Sequence, residues 1–276
     1  MTLVPVKTAS PAVRSVSGLV WRQLVLPVPV DEARMRSVVA ALAGLPGSPH
    51  LAFEVIARGG RVWWRLGTEP WALRSVQALL LAHLPGVRLV DPSIHVVRSG
   101  QKLAVPREAF LATDTPATTP AATVATVRFT NTVLYPLRTD STETVTRSLL
   151  AVLAGTTTKE TVRLQVVCGR RLPPRRYPTA EGATTPSRQV TASLEDPGFQ
   201  VAVRIGASAA SPSRAHWLVS QTASSLRGLE LPPVKLRLWR STPGALASAR
   251  SPWLLPLHLR ASELPGLLAW PVAEGL

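Results

Sequence analysis

Apolar residues recur at period 2 from Leu19 to Val30, with Leu24, Leu26, Val28 and Val30 on one side, and this predicts a strand. Asp31 stands ready to cap a helix. Met35, Val38, Val39 and Leu42 then follow at i, i+3, i+4 and i+7, and Gly44 sits where a helix ends. Two short apolar runs, Leu51 to Ala57 and Arg61 to Leu66, flank Gly59-Gly60 and predict a β-hairpin. Pro70 opens a second helix carrying Val76, Leu79, Leu80 and His83. Pro85-Gly86 ends it, and Val87 to Val90 reads as a last strand. The order is β-α-β-β-α-β.

The second half repeats that order. Thr126 to Leu137 predicts a strand, and Asp140 or Ser141 caps a helix with Val145, Leu149, Val152 and Leu153 that ends at Gly155. Thr161 to Cys168 and Phe199 to Ile205 predict hairpin strands. Ser211-Pro212 starts a helix with Ala215, Leu218, Val219, Thr222 and Leu226, stopped by Gly228, and Val234 to Trp239 closes the unit. Landmarks match as well as order. Ala41-Leu42-Ala43-Gly44 corresponds to Val152-Leu153-Ala154-Gly155, Phe53-Glu54-Val55-Ile56 to Leu164-Gln165-Val166-Val167, and Arg65-Leu66-Gly67 to Arg204-Ile205-Gly206. The expected fold is α+β, with two tandem ferredoxin-like modules, each placing two helices on an antiparallel sheet.

Composition marks the boundaries. Residues 1–18 read as a flexible arm and 19–98 as the first module. Residues 99–125, rich in Thr, Ala and Pro, read as a flexible linker. The second module spans 126–241 with a long Pro- and Arg-containing loop at 169–197, and 242–276 reads as a tail. Charge changes the picture further. The chain of 276 residues carries 31 Lys and Arg against 16 Asp and Glu, for a formal net charge of +15. That favours an anionic partner, although 27 Arg beside 4 Lys also fits a GC-rich coding sequence. Cys168 is alone, so no internal disulfide forms and a reducing compartment fits. No apolar run approaches the ~18 residues of a membrane span, and no signal peptide is read.

Catalytic chemistry has few footholds. Lys7, Lys102, Lys159 and Lys235 are the only lysines, and none completes a phosphate-binding Gly-Lys-Ser/Thr turn. His50, His83, His95, His216 and His258 are scattered without the spacing of a metal site. Gly206-Ala207-Ser208-Ala209-Ala210 lacks the last glycine of a nucleophile elbow. No cofactor, metal or small-molecule substrate is expected, and the chain reads as a non-enzyme. The clearest charged feature is Arg170-Arg171-Leu172-Pro173-Pro174-Arg175-Arg176-Tyr177. Arg170, Arg171, Arg175 and Arg176 can grip phosphates and Tyr177 can stack on a base. The competing reading is a solvated loop. Among the eight Trp, one of Trp63 and Trp64 must face the side of the sheet away from the helices, where packing is the expected role, and packing is expected for Trp217 too.

Three stretches of the first half resemble a known family: Ser48-Pro49-His50-Leu51-Ala52-Phe53-Glu54, Gly60-Arg61-Val62-Trp63-Trp64-Arg65-Leu66 and Leu84-Pro85-Gly86-Val87. With Phe199-Gln200-Val201-Ala202-Val203-Arg204-Ile205 and the run from Pro256 to Pro271, they resemble the N-terminal, non-ATPase region of actinobacterial conjugative DNA-transfer ATPases of the type IV secretion and coupling-protein class. The resemblance spans roughly residues 19 to 272 and contains no catalytic motif. In that family a RecA-like ATPase with a P-loop follows this region, so no hydrolytic residue carries over to a position here.

The resemblance implies a non-catalytic module of a conjugation machine, with a conjugation ATPase or secretion-channel proteins as partners. Single- or double-stranded DNA is a further expected ligand, bound without sequence preference. The expected location is cytoplasmic, at the inner face of the membrane only through partners, and self-association stays open. A protein-interaction scaffold without a nucleic-acid role is the alternative. A small enzyme on a ferredoxin-like scaffold is the third, since fold alone does not set function.

Overall fold

Alternating apolar strands and amphipathic helices assemble into an α+β structure with an open, mostly antiparallel sheet. The computed structural model describes residues 18–91, 121–132, 135–174, 196–250 and 257–272, and among these lie nine strands and six α-helices. The first half comprises β1 (Val20–Val25), α1 (Glu32–Ala43), β2 (Leu51–Arg58), β3 (Arg61–Thr68), α2 (Leu73–His83) and β4 (Arg88–Val90). The second comprises β5 (Ala121–Phe129), α3 (Thr142–Ala154), β6 (Thr161–Leu172), β7 (Gly198–Ala209), α4 (Pro212–Ser225), a 3-10 turn (Leu226–Leu229) and β8 (Leu236–Arg240). Then follow α5 (Pro243–Ser248), β9 (Leu257–Arg260) and α6 (Pro265–Leu268).

Local chemistry sets many of these ends. The Asp31 carboxylate accepts from the Arg34 N–H at 2.9 Å and caps α1. Ser211 does the same for α4 through the Arg214 N–H, with Pro212 in the first turn. Gly59 and Gly60, at φ +60° and +72°, make the tight β2–β3 turn that residues with a Cβ adopt at a cost.

The strand order is β4-β1-β3-β2-β6-β7-β5-β8, with β9 beside β7. Each half was expected to form a four-stranded antiparallel sheet, and the two join edge to edge in one sheet. β2 and β6 pair antiparallel from Leu51↔Cys168 to Ala57↔Val162. Both are the second strand of their half, and each satisfies the other's outer backbone groups. Residues Glu54 and Gln165, equivalents in the repeat, meet at the middle of this pairing.

Helices α1 to α4 cover one face of the sheet. Met35, Val38, Leu42, Val76, Leu80, Leu149, Leu153, Leu218 and Val219 join Phe53, Val55, Leu164, Val166 and Val203 in one buried core. On the opposite face Ala52, Val167 and Ala202 pack with Leu19, Trp21 and Ala249, the residue after α5.

Several expected boundaries move. The linker assigned to 99–125 gives way to strand at Ala121, and β5 ends at Phe129 rather than continuing to Leu137. Thr123, Ala125 and Val127 alternate well enough to pair with β7, whereas Leu137 is buried as coil. The loop expected from 169 also begins later, because β6 continues through a bulge after Cys168 and pairs Leu172 with Gly198.

The segment read as a tail is built into the fold. β9 pairs with Gly198–Val201 of β7, and α6 lies against α1, α3 and β2. Trp270 is fully buried and meets Phe53 edge-on, with ring centroids 6.1 Å apart. The Trp64 indole donates to the Ala269 carbonyl at 2.8 Å, and the Val30 N–H donates to the Pro271 carbonyl at 2.8 Å. A segment that joins the sheet of the second half thus closes onto the first half. No helix among the described residues is long and apolar enough to cross a membrane.

Candidate nucleic-acid interface

The residues singled out from the sequence are only partly on view. Arg175, Arg176 and Tyr177 lie outside the described residues. Arg170 and Arg171 are not on a loop, as expected, but on the extension of β6 beyond its bulge. Neighbours on a strand, they differ in burial: Arg170 is exposed, while Arg171 is half-buried. The Arg171 Nε and Nη2 atoms are enclosed and have no hydrogen-bond partner among the described residues.

Strand charge is segregated far more sharply than in the chain as a whole. The nine strands contain thirteen Arg and a single acid, Glu54. Register shows where they point. Directly opposed residues share a face, so one row runs across all eight strands of the main path: Val90, Gln23, Arg65, Glu54, Gln165, Arg204, Thr126 and Trp239. This row lies on the helix-free face, because Phe53, Val55, Leu164 and Leu66 beside it enter the helix-covered core. Steps of two along each strand add Arg58, Arg61, Arg88, Arg128, Arg163 and Arg237 to the same face.

The centre of the row is an internal network. Arg65 is ion-paired and hydrogen-bonded to Glu54, and Arg163 lies 4.0 Å from the same carboxylate. Gln165 donates to Glu54 at 2.7 Å and accepts from Arg204 at 2.9 Å. Burial pushes the Glu54 carboxyl up, but the charges of Arg65 and Arg163, with hydrogen bonds from Arg65 and Gln165, hold it below its ordinary value. The Arg204 guanidinium meets neutral acceptors, Gln165 and the Arg250 carbonyl, and burial lowers its pKa. The Arg65 guanidinium also lies 4.4 Å from the centre of the Trp21 ring.

Glycines at equivalent repeat positions make room on this face. A Cβ on Gly67 would come within 2.9 Å of the Trp21 ring, and one on Gly206 would run into Leu246 of α5. The matched Arg-x-Gly pairs of the sequence are therefore a polar anchor followed by a gap into which a neighbouring side chain folds. The α5 segment closes over part of the second half: the Leu246 carbonyl accepts from Gln165 at 2.7 Å, and the Ala249 carbonyl lies 2.7 Å from His50 Nε2.

The far end of the row is open. Trp239 on β8 is 56% exposed, and the Arg128 guanidinium sits 5.1 Å from its ring centre. Lys235, Arg237 and Arg240 are exposed beside it. Nothing in the sequence reading marked these residues. Their signal was the period-2 placement of Lys235, Arg237 and Trp239 in a closing strand, which puts two cations and a ring on one side. Trp63, 8% exposed, packs on the helix-free side as expected, but Trp217 is 47% exposed on α4 with Arg214 stacked 4.3 Å from its ring centre. Among the described residues no three His, Cys, Asp or Glu side chains converge as a metal site would require. No protein-family model and no curated protein matches this sequence.

Proposed function

We propose that this chain is a non-catalytic module of a conjugative DNA-transfer machine, which docks on a motor ATPase or secretion-channel protein and holds DNA by charge, without sequence preference. The fold reading behind it is a tandem pair of ferredoxin-like modules. It is supported by βαββαβ order in each half and by strand orders 4-1-3-2 and 2-3-1-4 that meet at β2 and β6. The observation that carries the function is the charge of the helix-free face, where eight Arg accompany one Glu that is already held inside the sheet by Arg65 and Gln165. A cytoplasmic location at the membrane's inner face, reached through partners, goes with this reading.

A scaffold without a nucleic-acid role is the second reading. It is favoured by Trp71, Leu81 and Trp217, exposed at 60%, 48% and 47% near or on helices α2 and α4. Titration of labelled random-sequence DNA across a salt series separates the two. Nucleic-acid binding gives affinity that falls linearly in a log–log plot against salt, the mark of counterion release. No binding even at about 50 mM salt, where such contacts are strongest, gives the scaffold reading the field.

A further inference from the structure

Strand β8 ends the sheet and, among the described residues, pairs with β5 alone. Its exposed Arg237 and Arg240 are ordinary edge protection, but an exposed Trp239 among them is not. Arg237 and Trp239 stand about 7 Å apart on the helix-free face, at about 3.4 Å per residue, and the exposed Lys235 immediately precedes the strand, its backbone hydrogen-bonded to Thr130. Arg128, opposite Arg237 in the β5–β8 register, lays its guanidinium over the Trp239 ring. A 56% exposed Trp on a rigid strand, supported from one side by an arginine, is a preformed stacking surface. The adjacent cations place positive charge where a nucleotide stacked on that surface carries its phosphates.

We propose that the β5–β8 end of the helix-free face is a binding site for single-stranded nucleic acid, in which an unpaired base stacks on Trp239 and the flanking phosphates meet Lys235, Arg237 and Arg128. The site rests on the nucleic-acid part of the function proposed above and gives it a location and a strand preference. Charge complementarity selects a polyanion: among the described strands Glu54 is the only acid and lies four strands away from β8, while Glu230, which accepts from the Leu236 N–H at the start of β8, is ion-paired with Arg227. The exposed ring selects a single strand, because a duplex keeps its base faces stacked inside and offers Trp239 nothing to stack on. Arg175, Arg176 and Tyr177 are not needed for it.

The test is fluorescence anisotropy of a 5′-fluorescein oligothymidylate on the full chain at low salt and across a salt series. The proteins are wild type, Trp239→Ala, Trp239→Phe and Arg237→Ala, with thermal melts confirming that each is folded. Stacking predicts that Trp239→Ala weakens binding about tenfold or more and that Trp239→Phe recovers most of it. Arg237→Ala weakens binding and lowers the salt slope. Unlabelled duplex of equal length competes less well than the single strand. Equal affinity in all four proteins overturns the site while leaving charge-driven binding in place elsewhere. Failure of wild type to bind at low salt overturns both the site and the nucleic-acid reading. If Trp239→Ala alters only self-association, measured by sedimentation, β8 is an edge for another protein strand and the proposal falls.

Discussion

At the scale of the residue, Glu54 is the group on which the sheet's internal charge depends. It is 2% exposed, ion-paired to Arg65, near Arg163 and hydrogen-bonded by Gln165. Ion pairs so enclosed need not stabilise relative to a well-packed apolar replacement, but removing one partner leaves the others uncompensated. Glu54→Ala is therefore expected to lower stability by about 3–5 kcal/mol, read from urea midpoints. Glu54→Gln keeps a hydrogen-bond acceptor for Arg65 and loses less. A change in Glu54→Ala no larger than that of an ordinary exposed substitution would show that the arginines find other acceptors. The pairing of Glu54 with Gln165 also explains why the two halves differ at this position. A second copy of the first half docking on β2 would set Glu54 against Glu54, two buried carboxylates in contact, whereas Gln165 supplies both a donor to Glu54 and an acceptor to Arg204.

At the scale of the element, the closing segment from β9 through Trp270 depends on a second buried acid. Glu263 accepts from the Leu137 and Arg260 N–H groups, both at 2.5 Å, and so ties the turn after β9 to the coil before α3. Burial pushes its carboxyl up to about 7, against the pull of those N–H donors and of the Arg260 charge. The folded state thus keeps a proton that the unfolded chain, with an ordinary carboxyl near 4.5, has released. Stability is expected to fall as pH rises from about 4.5 to about 7 and to level off above, by about 3 kcal/mol at most from this group. Glu263→Gln should flatten the slope of the urea midpoint in that window. A slope unchanged by the substitution would assign it to other groups.

Elements with local causes were legible in the sequence. The Asp31 and Ser211-Pro212 helix starts, the Gly59-Gly60 turn and the repeated βαββαβ order all come from residues within a few positions of one another. The join of β2 to β6 was not legible, because side chains alternate between the two faces of a sheet and do not report what lies at a strand's edge. An ionisable residue in the middle of Leu51–Arg58 was the one hint that something would compensate it. The closing segment was hidden for a similar reason: its four-residue strand and four-residue helix are too short to show a period. The charge run at Arg170 to Tyr177 drew attention because its cations are consecutive. Trp239 and Arg128, more than a hundred residues apart, become neighbours only through pairing of β5 with β8.

At the scale of the whole molecule, one sheet carries α1 to α4, and the apolar surface they bury, on one face and eight of its thirteen strand arginines on the other. Under the proposed function, that division gives the chain two working sides. Exposed Trp71, Leu81 and Trp217 sit near or on the helices, where a protein partner can bury them, and the cations of the helix-free face point away. The central part of that face is occupied by the Glu54 network and by α5, while Arg237 and Trp239 stay exposed at the β8 end and Arg61 and Arg88 toward the β4 end. Hydrogen exchange of the full chain with and without a saturating oligothymidylate tests this division most directly. The account predicts slower exchange at β5 and β8, residues 121–129 and 236–240, with α1 to α4 unchanged. Protection confined to the helices, or no protection anywhere at low salt, would contradict it.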